Sequence, residues 1–227
     1  MAKIVIGGDL VPTSTNLHKF ISGDIKEILD EGLLNILHSS DFRIFNLEVP
    51  LINVYKPIKK HGPNLIAPSD SINAIEKLKP SVLCLANNHI LDQGEQGLFS
   101  TTEILKEKEI FYIGAGKDIL EASKPIILNN GNEKIGIYAC AEHEFSIATE
   151  ATAGANPFDP LNSFDHIAQL RSQCDYLIVL YHGGKEHYRY PSPYLQKVCR
   201  KMVDKGADLI VCQHSHCIGC EENYKGS

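Results

Sequence analysis

Short apolar runs alternate with amphipathic stretches along most of the chain. Several of the apolar runs are continuous rather than alternating, which is typical of strands that are covered on both faces of a sheet. This pattern predicts strands at Lys3–Gly8, Phe42–Leu47, Val82–Ala86, Phe111–Gly114, Tyr176–Tyr181 and Leu209–Cys212.

The stretches between these runs show helical spacing. Ser71–Leu78 has apolar residues three positions apart, and Ser69 or Asp70 is the expected N-cap. Gly206 is expected to end the last helix as a C-terminal glycine. The other predicted helices are Gly97–Lys108, Phe164–Gln173 and Tyr194–Lys205.

One segment departs from the alternation. Ile126–Leu128 and Ile135–Cys140 flank an Asn- and Gly-rich turn, which predicts an antiparallel hairpin. Glu142–Pro160 is rich in Ala, Thr, Glu and Pro, and we expect a long surface loop beside the site. The fold class is therefore α/β, with one antiparallel insertion in a single domain over residues 1–227.

Composition and charge narrow the partners and the location. The net charge of −6 and the pI near 5.9 argue against a broad nucleic-acid surface. The first apolar stretch is too short for a signal peptide and no run could span a membrane, so we expect a cytoplasmic location. The seven scattered cysteines favour a reducing compartment, with Cys84, Cys140 and Cys212 buried as free thiols.

Candidate chemical groups follow five of the predicted strands. In open α/β sheets functional residues collect at the carboxyl ends of strands. Any one of these residues could be an ordinary turn, cap or loop residue, but their coincidence favours a shared site. His214 and His216 flank Ser215, so on an extended strand both would point to one side. The groups are Asp9, Glu48, Asn88 with His89 and Asp92, His182 with Glu186, and His214 with His216.

These residue types suit a site for two divalent ions. Such ions lie about 3.5–4 Å apart and need a bridging anion, a role that Glu48 could fill. Mixed nitrogen and oxygen ligands favour Mn²⁺, Zn²⁺ or Fe over Ca²⁺. A nearby His or carboxylate could then protonate the leaving group.

At these residues the chain resembles the bacterial capsule-synthesis CapA family, also called the poly-γ-glutamate biosynthesis family. The most specific part is the Asn-Asn-His-x-x-Asp-x-Gly string in Leu85–Gly94 and its spacing to the final His-x-His. The remaining matches are Gly8-Asp9, Asn46-Leu47-Glu48, Gly114-Ala115-Gly116, His182-Gly183-Gly184-Lys185-Glu186 and Ala207–Val211.

The resemblance implies a calcineurin-like metallophosphoesterase fold, a layered αββα sandwich, with two bound divalent ions. It implies His89 as the acid group near the substrate, with Asp92 and Glu186 as further catalytic candidates. The metal ligands that it implies are Asp9, Glu48, Asn88, His182, His214 and His216.

The chain departs from the family pattern near its end. The family usually has Gly-His-His-Pro-His where this chain has Cys212–His216, so Gln213 replaces one histidine. The family continues with another strand and a Gly-Asn-Phe segment, whereas this chain stops at Ser227. The sandwich is therefore expected to be C-terminally truncated, or a natural short form.

Three functions remain open at this point. The first is a metal-dependent hydrolase of phosphoesters. The second is a non-hydrolytic or amide-cleaving factor in synthesis or export of an anionic polymer such as poly-γ-glutamate. The third is a scaffold with a degenerate site. The expected partner is an anionic small molecule or polymer, not nucleic acid.

Two other features are expected to be less important. Cys217 and Cys220 could form a zinc knuckle with His214, but no second Cys-x-x-Cys pair supports it. Lys56, Lys59 and Lys60 form a small basic cluster with His61, which could meet an anionic substrate, although a solvated loop is the favoured interpretation.

Overall fold

A computed structural model describes residues 2–142 and 145–227 and contains two four-stranded sheets. In the first sheet all strands are parallel and lie in chain order. These strands are β1 (Ile4–Leu10), β2 (Phe42–Leu47), β3 (Val82–Cys84) and β4 (Phe111–Ile113).

The later strands are β5 (Ala115–Gly116), β6 (Ile126–Asn130), β7 (Glu133–Ala141), β8 (Gly154–Ala155), β9 (Tyr176–His182) and β10 (Leu209–Gln213). The second sheet has the order β10-β9-β7-β6, in which β6 and β7 form an antiparallel hairpin and the other neighbours are parallel. The strands β5 and β8 form a separate short antiparallel pair.

Seven α-helices lie in the described part of the chain, with short 3₁₀ turns at Ile25–Glu27 and Ser69–Ser71. None of the helices in residues 2–142 and 145–227 has both the length and the apolar character needed to cross a membrane. The helices are α1 (Leu17–Ser22), α2 (Glu31–His38), α3 (Ile72–Lys77), α4 (Gly94–Glu107), α5 (Ile119–Ala122), α6 (Ser163–Arg171) and α7 (Pro193–Asp204).

The side chains of β9 show how the layers are arranged. Ile178 and Leu180 belong to the large core that joins both sheets, whereas Leu177 and Val179 pack with buried residues of α6 and α7. Successive strand residues point to opposite faces, so β9 is covered by a sheet on one side and by helices on the other. This explains why its sequence is a continuous apolar run.

All six predicted strands, the predicted hairpin and the four predicted helices are present. Three further helices are present that the sequence analysis did not predict, and one predicted helix cap is wrong. The helices α1, α2 and α5 had no prediction, although Asp30 caps α2 by accepting a hydrogen bond from Leu33 N. The predicted cap at Ser69 or Asp70 is wrong, because Ser69–Ser71 forms a 3₁₀ turn. Gly206 follows the end of α7 with φ +110°, as expected of a C-terminal glycine.

For the residues described there, the prediction of a surface loop over Glu142–Pro160 is right only in part, because Phe145 and residues 149–152 are exposed but other residues pack inward. Ser146, Ala148 and Phe158 are buried, and β8 pairs with β5. Small residues permit this packing: a Cβ at Gly154 would lie 2.5 Å from the Ile147 carbonyl carbon. His143 and Glu144 lie outside the described residues.

Cys84 and Cys140 are buried as predicted, but Cys212 is exposed. The reason is topological, since β10 is an edge strand of its sheet and, in the part of the chain that the structure describes, pairs with β9 alone.

Ser192 offers a test of how α7 begins. Its hydroxyl accepts a hydrogen bond from Leu195 N at 3.1 Å, and Pro193 occupies the first helical position. We expect Ser192→Ala to lower the free energy of unfolding by about 1 kcal/mol, because one backbone donor loses its partner. Ser192→Asn keeps an acceptor and should change it little. Urea unfolding measures both, and equal losses in the two variants would contradict this role.

Candidate metal centre

The carboxyl ends of strands from both sheets meet at one place. In the first sheet Asp9 pairs in register with Asn46, and in the second Gln213 pairs with His182. The Gln213 side-chain amide donates a hydrogen bond to the Gly7 carbonyl at 3.1 Å, which ties β10 to β1. Residues that are far apart in sequence are therefore brought together between the sheets.

Glu48, His182 and His214 form the centre of the cluster. One ligand atom from each lies within 4.8 Å of the others, and all three residues are buried. His182 Nε2 lies 3.2 Å from Glu48 Oε1, and the His182 and His214 ring centroids are 4.9 Å apart.

Asn88 and Asp9 adjoin this cluster. The Asn88 side-chain oxygen lies 2.9 Å from His182 Nε2. Asn46 Nδ2 donates to Asp9 Oδ1 at 2.8 Å and lies 3.3 Å from His182 Nδ1. Asn87 in turn donates to the Asn46 oxygen at 3.1 Å. The sequence placed Asn46 and Asn87 at strand ends but gave them no role, and here they orient the candidate ligands.

The donor set fits a divalent ion. Glu48 Oε2 and His214 Nδ1 are buried side-chain atoms that have no hydrogen-bond partner among residues 2–142 and 145–227, and such orphaned atoms are rare unless an ion or water completes them. One carboxylate and two imidazoles are ligands that Zn²⁺ and Mn²⁺ accept. Asn88 and Asp9 add an amide and a second carboxylate at the edge of the same cluster.

Burial and neighbouring charge shift the pKa values of these groups. Burial, and next the nearby Asp9 carboxylate, raise the pKa of Glu48 to about 8. Burial lowers the pKa of His182 to about 4, although Asp9 opposes this. Burial and the nearby His182 lower the pKa of His214. The metal-free site thus favours uncharged forms, and a cation would reverse that preference for Glu48.

We expect the metal-free protein to lose stability between pH 6.5 and 8. The pKa of Glu48 rises from 4.5 to about 8 on folding, so across this interval only the folded state holds that proton. The free energy of unfolding therefore falls as pH rises. His182 has the opposite sign, since its pKa drops from 6.5 to about 4. The unfolded imidazole is still half protonated at pH 6.5, so His182, together with His214, whose pKa is also lowered, partly opposes the fall up to about pH 7.5.

The expected fall is about 1 kcal/mol: roughly 1.5 pH units at 1.36 kcal/mol each set an upper bound of about 2 kcal/mol, and the half-deprotonation of folded Glu48 near pH 8 and the opposing histidines reduce it. Urea unfolding in the presence of a chelator at pH 6.5 and 8 measures it. Glu48→Gln, which stays neutral, should show no such fall. Parallel pH dependence in the wild type and Glu48→Gln would rule out Glu48 as the source.

His89 and Asp92 form a second arrangement next to Asn88. His89 Nδ1 lies 2.5 Å from Asp92 Oδ2, which also accepts from Leu65 N at 2.6 Å. Lys60 forms an ion pair with Asp92 Oδ1 and lies 3.3 Å from His89 Nδ1. The Lys60 side chain is only 2% exposed, so the prediction of a solvated basic loop is wrong there. Its burial depends on Asp92, a partner that the local sequence does not reveal.

His216 and Glu186 lie at the rim of the site. Both are about half exposed, and Glu186 Oε1 lies 3.7 Å from His214 Nε2 and 3.9 Å from His216 Nε2. The extended conformation predicted for the two histidines is wrong, because β10 ends at Gln213 and their φ angles are 94° and 54°. The two rings are nevertheless neighbours, with centroids 6.0 Å apart.

Glu142 is a site residue that the sequence reasoning missed. Its carboxylate accepts hydrogen bonds from Tyr181 OH at 2.9 Å and from Gly184 N at 3.0 Å. It lines a small cavity together with Asn88, His182 and His214. The signal that indicates it is its position directly after β7, but this position lies in the stretch that the sequence predicts as a surface loop.

Comparison with known proteins gives sequence relatives with consistent names. A family model described as "Bacterial capsule synthesis protein PGA_cap" matches residues 3–227. "Capsule biosynthesis protein CapA" of Bacillus anthracis is 29% identical over 198 residues, which cover 83% of this chain and 48% of that protein. "PGA biosynthesis protein CapA" of Bacillus subtilis is 29% identical over 198 residues, covering 85% and 52%.

A "Probable polyglutamine synthesis accessory protein" of Mycobacterium tuberculosis is 31% identical over 170 residues, covering 69% of this chain and 45% of that protein. The chain thus spans about half the length of the curated relatives it matches.

Solved structures support the fold. A novel phosphatase from Mycoplasma pneumoniae superposes with a TM-score of 0.58 at 14% identity, covering 99% of this chain and 68% of that one. A putative 5'-nucleotidase from Staphylococcus aureus gives 0.54 at 15% identity, covering 96% and 46%. The predicted metallophosphoesterase-type sandwich is therefore confirmed as the fold.

Proposed function

Because the chain belongs to the family of bacterial capsule synthesis proteins, PGA_cap, we propose that it is a metal-dependent hydrolase of metallophosphoesterase type. The match also confirms the resemblance drawn from the strand-end motifs. The observation that carries the proposal is the buried cluster of Glu48, His182 and His214, with ligand atoms within 4.8 Å of one another.

The cluster would hold two ions, Mn²⁺, Zn²⁺ or Fe. Glu48, His182 and His214 are the central ligands, and Asp9 and Asn88 complete the shell from the first sheet. His216 would join from the rim. Bound ions would supply an activated water and neutralise charge on a phosphoryl group.

His89 is the group that would hold and deliver a proton. With Nδ1 held against Asp92 Oδ2 at 2.5 Å, Nε2 is the nitrogen left to give a proton to a leaving oxygen. Lys60 and Leu65 N bind the same carboxylate, which keeps Asp92 in place. Asp92 would thus orient the imidazole, and Glu186 would act at the rim beside His214 and His216.

The site would take an anionic substrate. Residues 1–227 would act as one domain, since one apolar core joins both sheets. The proposed location is the cytoplasm. A second candidate follows from the names of the relatives, which refer to capsule, PGA and polyglutamine synthesis. In that case the same cluster would bind polymer carboxylates or cleave an amide.

The two candidates separate in a direct assay. The protein is loaded with Mn²⁺ or Zn²⁺ and tested on p-nitrophenyl phosphate esters and on γ-glutamyl oligomers. We expect metal-dependent release of nitrophenol that a chelator abolishes and that Glu48→Gln lacks. Cleavage of the oligomers alone would overturn the phosphoesterase proposal in favour of the second candidate.

A further inference from the structure

Two of the seven cysteines are in contact with each other. Cys199 lies on α7 and Cys212 on β10, and their sulfur atoms are 3.7 Å apart. The remaining cysteines include Cys84 and Cys140, which are buried in the core.

The two thiols are also accessible. They line an open groove between α7, β10 and the C-terminal segment, together with Cys217 and Cys220. Cys199 is partly exposed and Cys212 is exposed. A small reagent in solution can therefore reach this pair, whereas the core thiols are shielded.

We propose that Cys199 and Cys212 form a reversible intramolecular disulfide by exchange with a small disulfide of the glutathione type. This requires the sulfur atoms to move from contact at 3.7 Å to a bond of about 2.05 Å.

The exchange balances in two steps. The Cys199 thiolate attacks one sulfur of the small disulfide, which forms a mixed disulfide and releases one small thiolate that takes up a proton. The Cys212 sulfur then attacks the Cys199 sulfur, and the Cys212 proton passes to the departing small thiolate, which leaves as the second small thiol. Two protein thiols are oxidised, and one small disulfide is reduced to two thiols.

Cys199 is the better attacking group. A hydrogen bond from the Cys212 thiol lowers the pKa of Cys199, which favours its thiolate. Cys199 is partly exposed and lines the open groove, which leaves room for the incoming disulfide.

The disulfide would join α7 to β10, the edge strand of the second sheet. The bridged residues are 13 positions apart, and β10 leads directly to His214 and His216. Closing this short loop restricts the unfolded chain, so the oxidised protein should unfold at a higher temperature than the reduced one.

Mass spectrometry after trypsin digestion tests the proposal. Cleavage after Lys197, Arg200 and Lys205 places Cys199 in one peptide and Cys212 in another, together with Cys217 and Cys220. The Cys217→Ser/Cys220→Ser double variant removes that ambiguity. After exposure of the folded double variant to glutathione disulfide, we expect one cross-linked peptide pair and a mass loss of about 2 Da.

A variant that lacks one of the two partner cysteines is the matched control. Cys199→Ser should give no cross-link to the second peptide, and its thermal midpoint should not respond to a reductant. Two free thiols, or only glutathione adducts, at Cys199 and Cys212 in the double variant would overturn the proposal. If oxidation raised the thermal midpoint equally in the wild type and in Cys199→Ser, the predicted effect on stability would be overturned.

Discussion

Replacement of His182 by alanine is expected to weaken Mn²⁺ binding by about 100-fold or more, since loss of a partner that merely orients a ligand already costs about 10–100-fold. His182 occupies the middle of the cluster, 2.9 Å from the Asn88 oxygen and 3.2 Å from Glu48 Oε1. Its removal leaves no imidazole between these two oxygen ligands.

Isothermal titration with Mn²⁺ measures this loss. His38→Ala is the matched control, because His38 is exposed at the end of α2 and its Nε2 lies near the Lys77 carbonyl. Circular dichroism must show that both variants are folded. Unchanged affinity in a folded His182→Ala protein would remove the central ligand from the proposed site.

Replacement of His89 by alanine is expected to lower kcat for phosphoester hydrolysis by about 10²–10⁴-fold while metal content stays the same. This range is typical for the loss of a positioned proton donor. Asp92→Asn keeps the shape of the carboxyl group but weakens its hold on His89 Nδ1, so we expect a smaller loss of kcat.

Steady-state kinetics with a p-nitrophenyl ester, paired with metal analysis, measures these effects. His61→Ala removes an exposed imidazole from the loop that carries Lys60, and should leave kcat unchanged. If His89→Ala lost metal in proportion to activity, His89 would be a ligand or a structural residue and not the proton donor.

The strand ends were the most informative part of the sequence. Asp9, Glu48, Asn88, His182 and His214 could be predicted because parallel strands bring their carboxyl ends to one edge, whatever the loops do. Their identity as metal ligands remains a prediction.

Residues fixed by tertiary packing were harder to predict. Lys60 resembles a solvated charge until Asp92, 32 positions later, is placed against it. Glu142 was missed because small residues after it suggested a surface loop, whereas Ser146 packs inward and donates to the Asn87 carbonyl at 2.8 Å. The rim geometry of His216 depends on left-handed backbone angles that residue type alone did not indicate.

The most direct test of the metal centre is a crystal of the Mn²⁺-loaded protein with anomalous diffraction measured for manganese. We predict an anomalous peak at about 2.0–2.3 Å from Glu48, His182 and His214, comparable to the ligand distances of similar ions. A fully loaded crystal whose peaks all lie away from these three side chains would contradict the proposed hydrolytic site.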